Sequence, residues 1–71
     1  MRDAEDEEFL KKLGKKIAEL RKEKGWTQEE FAEVLGIHRT AMARIEVGGT
    51  NMSITMFKNI SDKLDLNLSQ F

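Results

Sequence analysis

Residues Gln28–Val47, QEEFAEVLGIHRTAMARIEV, carry two short runs of helical periodicity separated by a glycine. In the first run, Gln28–Leu35, the apolar side holds Phe31, Ala32, Val34 and Leu35. Gly36-Ile37-His38 breaks the pattern. In the second run, Arg39–Val47, Met42 and Ile45 stand three apart and share one helix face. Arg39, Thr40, Ala43 and Arg44 are left to point elsewhere. Such a pattern constrains the chain to two short helices meeting at a steep angle. The second presents small and cationic side chains outward, a shape that suits the major groove of DNA.

The remaining residues predict helices for this pair to pack on. Phe9, Leu13, Ile17 and Leu20, with Leu10 beside them, form an apolar stripe over a first helix from about Glu5 to Lys24. Lys22 and Lys24 suit its negative end, and Gly25 suits the residue that follows. Gly14 reads as an internal weak point, about 1 kcal/mol poorer than Ala. Thr27 and Glu30 have the spacing of a capping box, and Trp26 and Phe31 that of a hydrophobic staple. Trp26 is therefore read as a core anchor, with a platform for base stacking as the alternative. Gly36 is expected at positive φ.

The next helix starts at His38 or Arg39 and ends near Val47, before the loop-forming Gly48-Gly49-Thr50-Asn51. Ser53 is placed to cap a fourth helix with Met56, Phe57, Ile60 and Leu64 on its apolar face, and Met52 and Phe57 are placed as a second staple. Asn67 is a candidate cap for a short fifth helix, and Leu66, Leu68 and Phe71 close the chain.

With 71 residues there is room for one domain with a modest core. The chain has no Cys, so neither a disulfide framework nor a cysteine metal site is available, which suits a reducing compartment such as the cytoplasm. No run approaches the ~18 apolar residues of a membrane span. The acidic amino-terminus does not read as a secretory signal. His38 is the only histidine, and Ser53, Ser61 and Ser69 have no base nearby in sequence. No metal site, cofactor or catalytic constellation is therefore expected, and the chain is not read as an enzyme.

The formal charge is −1, an unusual balance for a protein that binds a polyanion. Its distribution accounts for part of this. Residues 1–8, MRDAEDEE, hold one base and five acids, a net −4. The remaining 63 residues hold 11 bases and 8 acids, a net +3. The acidic block is read as a tip or helix start, and residues 9–71 as the domain proper.

Taken together, these residues resemble the Xre/Cro-type, phage-repressor-like helix-turn-helix domains. The resemblance runs through RKEKGWTQEEFAEVLGI, HRTAMARIE, the Gly-rich loop with Asn51, and SITMFKNISDKLDLNLSQF. Within residues 28–47, Ala32 holds the fifth place and Gly36 the ninth. Phe31, Leu35, Ile37, Met42 and Ile45 fill the apolar places. The resemblance implies an all-α, compact domain of four to five helices, lambda-repressor-like, with the motif at the second and third helices.

It also implies roles, residue by residue. Arg39, Thr40 and Arg44 would read bases, with Ala43 permitting close approach. An Arg pairs bidentately with guanine and a Thr methyl touches a thymine methyl. Phosphate contact or simple solvation is the alternative for each Arg. Gln28 would bond a phosphate at a helix amino-terminus, with Thr27 and His38 near it. Gly49, Thr50 and Asn51 would offer phosphate contacts from the loop. Arg21 and Glu46 would form a structural ion pair. Leu66, Leu68 and Phe71 would either form a dimer interface or belong to the core.

The sequence departs from the family in having Val47 where a basic or amide residue is common. It has no Lys or Arg near Thr50, and Met52 in place of a common proline. These departures bear on affinity more than on fold.

Two functions stay open at this level. One is a sequence-specific transcriptional regulator that binds double-stranded operator DNA as a homodimer: a phage-type repressor, a restriction–modification controller or an antitoxin. The other is a protein-interaction module or antitoxin component on the same scaffold with weak or no DNA binding. Neither reading calls for a membrane or a small-molecule effector.

Overall fold

In the computed structural model, which describes residues 4–67 and 69, four helices follow in order: α1 (Ala4–Glu23), α2 (Gln28–Leu35), α3 (Arg39–Glu46) and α4 (Ile54–Leu64). No strand occurs among the described residues, so the all-α architecture is the expected one. From Ala4 onward the acidic block is the start of α1, where negative charge suits the positive end of the helix dipole.

The local signals explain where each helix begins. Thr27 Oγ1 accepts the Glu30 amide at 3.0 Å, and Glu30 Oε1 accepts the Thr27 amide at 2.8 Å. Trp26 stacks on Phe31 with ring centroids 5.0 Å apart, so Trp26 serves as the staple and not as an open base platform. Gly36 ends α2 at φ 72°. His38, rather than Arg39, caps α3, its Nδ1 accepting the Thr40 amide at 3.2 Å. Ser53 Oγ caps α4 through the Met56 amide at 3.0 Å. Asp65 ends α4 in the left-handed region at φ 55° with no glycine to ease it, a position the sequence did not single out.

The core gathers one face of every helix. Leu13 and Ile17 from α1 meet Phe31 and Ala32 from α2, Met42 and Ile45 from α3, and Ile60 and Leu64 from α4. Full burial of each large apolar side chain contributes about 1.5–3 kcal/mol. Leu66 lies in the same cluster, 8% exposed, so it belongs to the core and not to an interface. Leu68 and Phe71, its companions in the expected dimer surface, lie outside the described residues. Of the expected fifth helix, only the Ser69 amide donating to Asn67 Oδ1 at 3.0 Å is described.

Three expectations change. Phe9 is 44% exposed at the edge of a groove beside the start of α4, while its neighbour Leu10 is buried. Val34 is 42% exposed, since Phe31, Ala32 and Leu35 already fill the inward arc of α2. Gly14 is no weak point. A Cβ there would fall on the backbone carbonyl oxygens of Ile45 and Glu46, the latter at 2.5 Å. The missing side chain lets α1 cross directly over the end of α3. Gly48 meets the same helix: its Cβ would lie 2.7 Å from Lys11 Cα, and its φ of 75° also favours glycine.

Candidate nucleic-acid interface

Helix α3 has two sides that its sequence separates cleanly. Met42 and Ile45 are buried, and they turn the opposite arc outward. At about 100° per residue, Arg39, Ala43, Thr40 and Arg44 spread in that order over about 140° of the helix circumference. Arg39, Thr40 and Arg44 are exposed and Ala43 is half-buried. The two guanidinium groups therefore stand at the edges of the arc, and the small side chains lie between them.

The edges differ in their surroundings. Thr40 and Arg44 line a groove of about 490 Å³ with His38, Thr50, Asn51 and Ser53, between α3 and the start of α4. His38 Nδ1 lies 3.2 Å from Thr40 Oγ1, so the cap also holds the threonine side chain. Arg39 lies on the other flank, in a groove of about 340 Å³ that includes Glu29 and Glu33 of α2. Those carboxylates, with Glu30, make α2 acidic on its solvent side and oppose a phosphate at its first turn.

Behind the arc, Glu46 is held by three groups. Arg21 Nε donates to Glu46 Oε2 at 2.7 Å and Arg21 Nη2 to Oε1 at 3.2 Å. Gln28 Nε2 donates to Oε1 at 3.0 Å. Arg21 Nη1 also donates to the Trp26 carbonyl at 2.8 Å. The Arg21 and Glu46 side chains are only 8% and 6% exposed. A carboxylate at the carboxyl end of a helix is unfavourable by ~0.3–1 kcal/mol against the dipole. The bidentate guanidinium outweighs that and ties α1, α2 and α3 at one point.

The structure brings Thr40 and Arg44 together with His38, Thr50 and Asn51, and it separates others from them. Gln28 turns its amide to Glu46, a contact that spacing alone did not indicate. Thr27 Oγ1 is engaged as a cap acceptor. The expectation that Gly49 offers its amide to phosphate is corrected: that amide donates to the Arg44 carbonyl at 2.9 Å, and the Gly48 amide to Ile45 at 3.1 Å. The loop closes α3 with these amides and leaves Thr50 and Asn51 lining the groove beside Thr40 and Arg44.

Comparison with known proteins follows this geometry. The family described as Helix-turn-helix matches residues 17–71. The uncharacterized HTH-type transcriptional regulator YazB of Bacillus subtilis is 35% identical over 80% of this chain and 83% of its own length. Antitoxin PezA of Streptococcus pneumoniae is 36% identical over 78% of this chain and 35% of its own length. Antitoxin HipB of Escherichia coli O6:H1 is 34% identical over 70% of this chain and 53% of its own length. The chain thus matches about a third to a half of the antitoxins' lengths and most of the regulator's. No helix among the described residues is long and apolar enough to cross a membrane.

Proposed function

The chain belongs to the helix-turn-helix family of the Xre/Cro type, and from that premise we propose that it is a transcriptional regulator that binds operator DNA sequence-specifically in the cytoplasm. The observation that carries this is the outward arc of α3. Arg39, Thr40 and Arg44 are exposed there while Met42 and Ile45 anchor the same helix in the core. Helix α3 enters the major groove, and Arg39 and Arg44 read base edges while Ala43 permits close approach. Thr50 and Asn51 meet the adjacent phosphates, with His38 and the start of α2 at Thr27 and Gln28 nearby. A single module of this kind buries only ~600–1,000 Å² on DNA, so two copies reading half-sites ~34 Å apart supply the affinity.

The test is a titration by fluorescence anisotropy against a pool of duplex sequences, followed by selection of the tightest binders. The expected outcome is selective binding, with Arg39→Ala and Arg44→Ala each losing about 5–150-fold on the selected site and little on random duplex. No binding by the wild type at micromolar protein in low salt would sink the proposal.

A second reading rests on α2. Glu29, Glu30 and Glu33 are exposed beside Arg39, and such a surface suits a basic protein partner better than a phosphate backbone. Two of the relatives described above are named antitoxins. Under this reading DNA binding is weak and Glu29→Lys/Glu33→Lys strengthens it at least tenfold.

A further inference from the structure

The first half of α1 and the start of α4 enclose an apolar groove of about 220 Å³, lined by Phe9, Leu10, Leu13, Met52, Ile54 and Phe57 among others. Its rim carries two of the exposed large apolar side chains. Ile54 is 89% exposed and Phe9 44%. Neither is needed by the proposed DNA face, and an isoleucine so exposed at the first position of a helix buries little apolar surface within one copy. The groove borders Asn51 and so adjoins the candidate DNA face.

The charges around this groove are arranged by sequence position along one helix. Residues 4–8 of α1 hold four acids and no base, and the next eight residues contain Lys11, Lys12, Lys15 and Lys16 with no acid. Phe9 sits at the junction. Glu8, Lys12 and Lys16 are exposed or half-buried on the flank of α1 that adjoins Phe9. A helix acidic in its first half and basic in its second complements its own copy when the two run antiparallel. With a twofold axis near Leu10, Glu8 of one copy stands opposite Lys12 of the other. Each contact occurs twice, as an isologous interface requires.

We propose that this face is a dimer interface. The groove receives a second copy of the chain, its α1 antiparallel to the first, with Phe9 and Ile54 buried at the centre and the two α1 charge blocks paired around them. A helix of 20 residues is about 30 Å long. The surface of the chain is 4911 Å², so the ~800 Å² per partner of a standard interface takes about a sixth of it. That is within reach of two apolar side chains, the groove and the facing length of α1. The inference rests on the dimeric reading above and moves the dimer surface away from the carboxyl-terminal residues.

The experiment is sedimentation equilibrium without DNA, so that a failure here leaves the DNA titration untouched. Three variants are compared with the wild type: Ile54→Asp, Glu8→Lys and Lys12→Glu. All three substitute surface positions, and circular dichroism confirms their fold. The expected result is a wild-type dimer and at least a tenfold weaker association for each variant alone. An equimolar mixture of the two charge-reversed variants restores the dimer, because only the mixed pair places opposite charges at both ends. The proposal is overturned by a wild-type monomer at all concentrations, by variants that dimerise as the wild type does, or by a mixture that stays monomeric. Dimerisation that survives all three changes would place the interface at Leu68 and Phe71.

Discussion

Gly14 of α1 lies against the carbonyl oxygen of Glu46, the last residue of α3: a Cβ at Gly14 would stand 2.5 Å from it. This close crossing brings α1 near enough for Arg21, two turns on, to reach the Glu46 carboxylate at 2.7 Å. The orientation of α3 therefore depends on a residue outside the candidate DNA contacts.

Gly14→Ala tests the crossing directly. Helix propensity favours Ala by about 1 kcal/mol. The added methyl meets two backbone carbonyls that cannot rotate away, and overpacking of that kind costs about 1–3 kcal/mol or more. The clash wins, and the expected result is a fall of roughly 10 °C in Tm by calorimetry. A rise in Tm would show that the crossing is loose.

Glu46→Gln keeps the volume and removes the charge. Relief from the dipole of α3 returns ~0.3–1 kcal/mol, whereas a buried guanidinium stripped of its partner costs about 3–5 kcal/mol. The Trp26 carbonyl remains to Arg21 and places the expected loss near the lower end of that range. Urea denaturation checks it, and DNA affinity is expected to fall with it. An unchanged midpoint and unchanged affinity would refute a structural role for the pair.

Gln28→Ala separates two roles of one side chain. Loss of the 3.0 Å bond to Glu46 is expected to cost about 0.5–1.5 kcal/mol of stability. If the amide also swings to a phosphate in the complex, affinity falls by a similar factor on every sequence. Because Gln is neutral, the salt slope stays that of the wild type. With the arginines on base edges and phosphate contacts from the neutral Thr50 and Asn51, the slope in log K against log salt is expected to be shallow, and even four arginines of a dimer all placed on phosphates would give only roughly −4. A slope near −8 in wild type would require cations outside the arc of α3.

Ser61→Ala is expected to stabilise the protein. Ser61 Oγ is buried on α4 with no hydrogen-bond partner among the described residues. Desolvating an unpaired hydroxyl costs about 1–3 kcal/mol, and Ala is the better helix former. A Tm increase of a few degrees is the outcome to look for; a decrease would mean that the hydroxyl has a partner in solution.

Much of the helical scaffold was legible because its signals are local. Thr27 and Glu30, Trp26 and Phe31, and Ser53 and Met56 act over three to five residues, so spacing alone predicts the bonds they make. The inward faces of α2, α3 and α4 followed from helical periodicity in the same way, apart from Val34. The candidate DNA arc was legible for a related reason: once Met42 and Ile45 face inward, the geometry of one helix sends Arg39, Thr40 and Arg44 outward.

The parts that escaped depend on neighbours distant in sequence. Gln28 looks like a free polar residue at a helix start until Glu46, eighteen residues on, accepts its amide. Gly49 looks like an open loop amide until the carbonyl of Arg44 takes it. Phe9 continues the apolar stripe of α1, yet it is 44% exposed at the edge of a groove beside α4.

By itself, then, the sequence determined which segments are helices, where they are capped and which side of each turns inward, because those depend on periodicity and short-range hydrogen bonds. Only the tertiary structure decided that Gly14 is a crossing point, that Leu66 is core, that Gln28 joins the Arg21–Glu46 pair and that Phe9 and Ile54 share an exposed groove. Each of these is a distance between helices, and burial and close approach arise only when the helices are packed together.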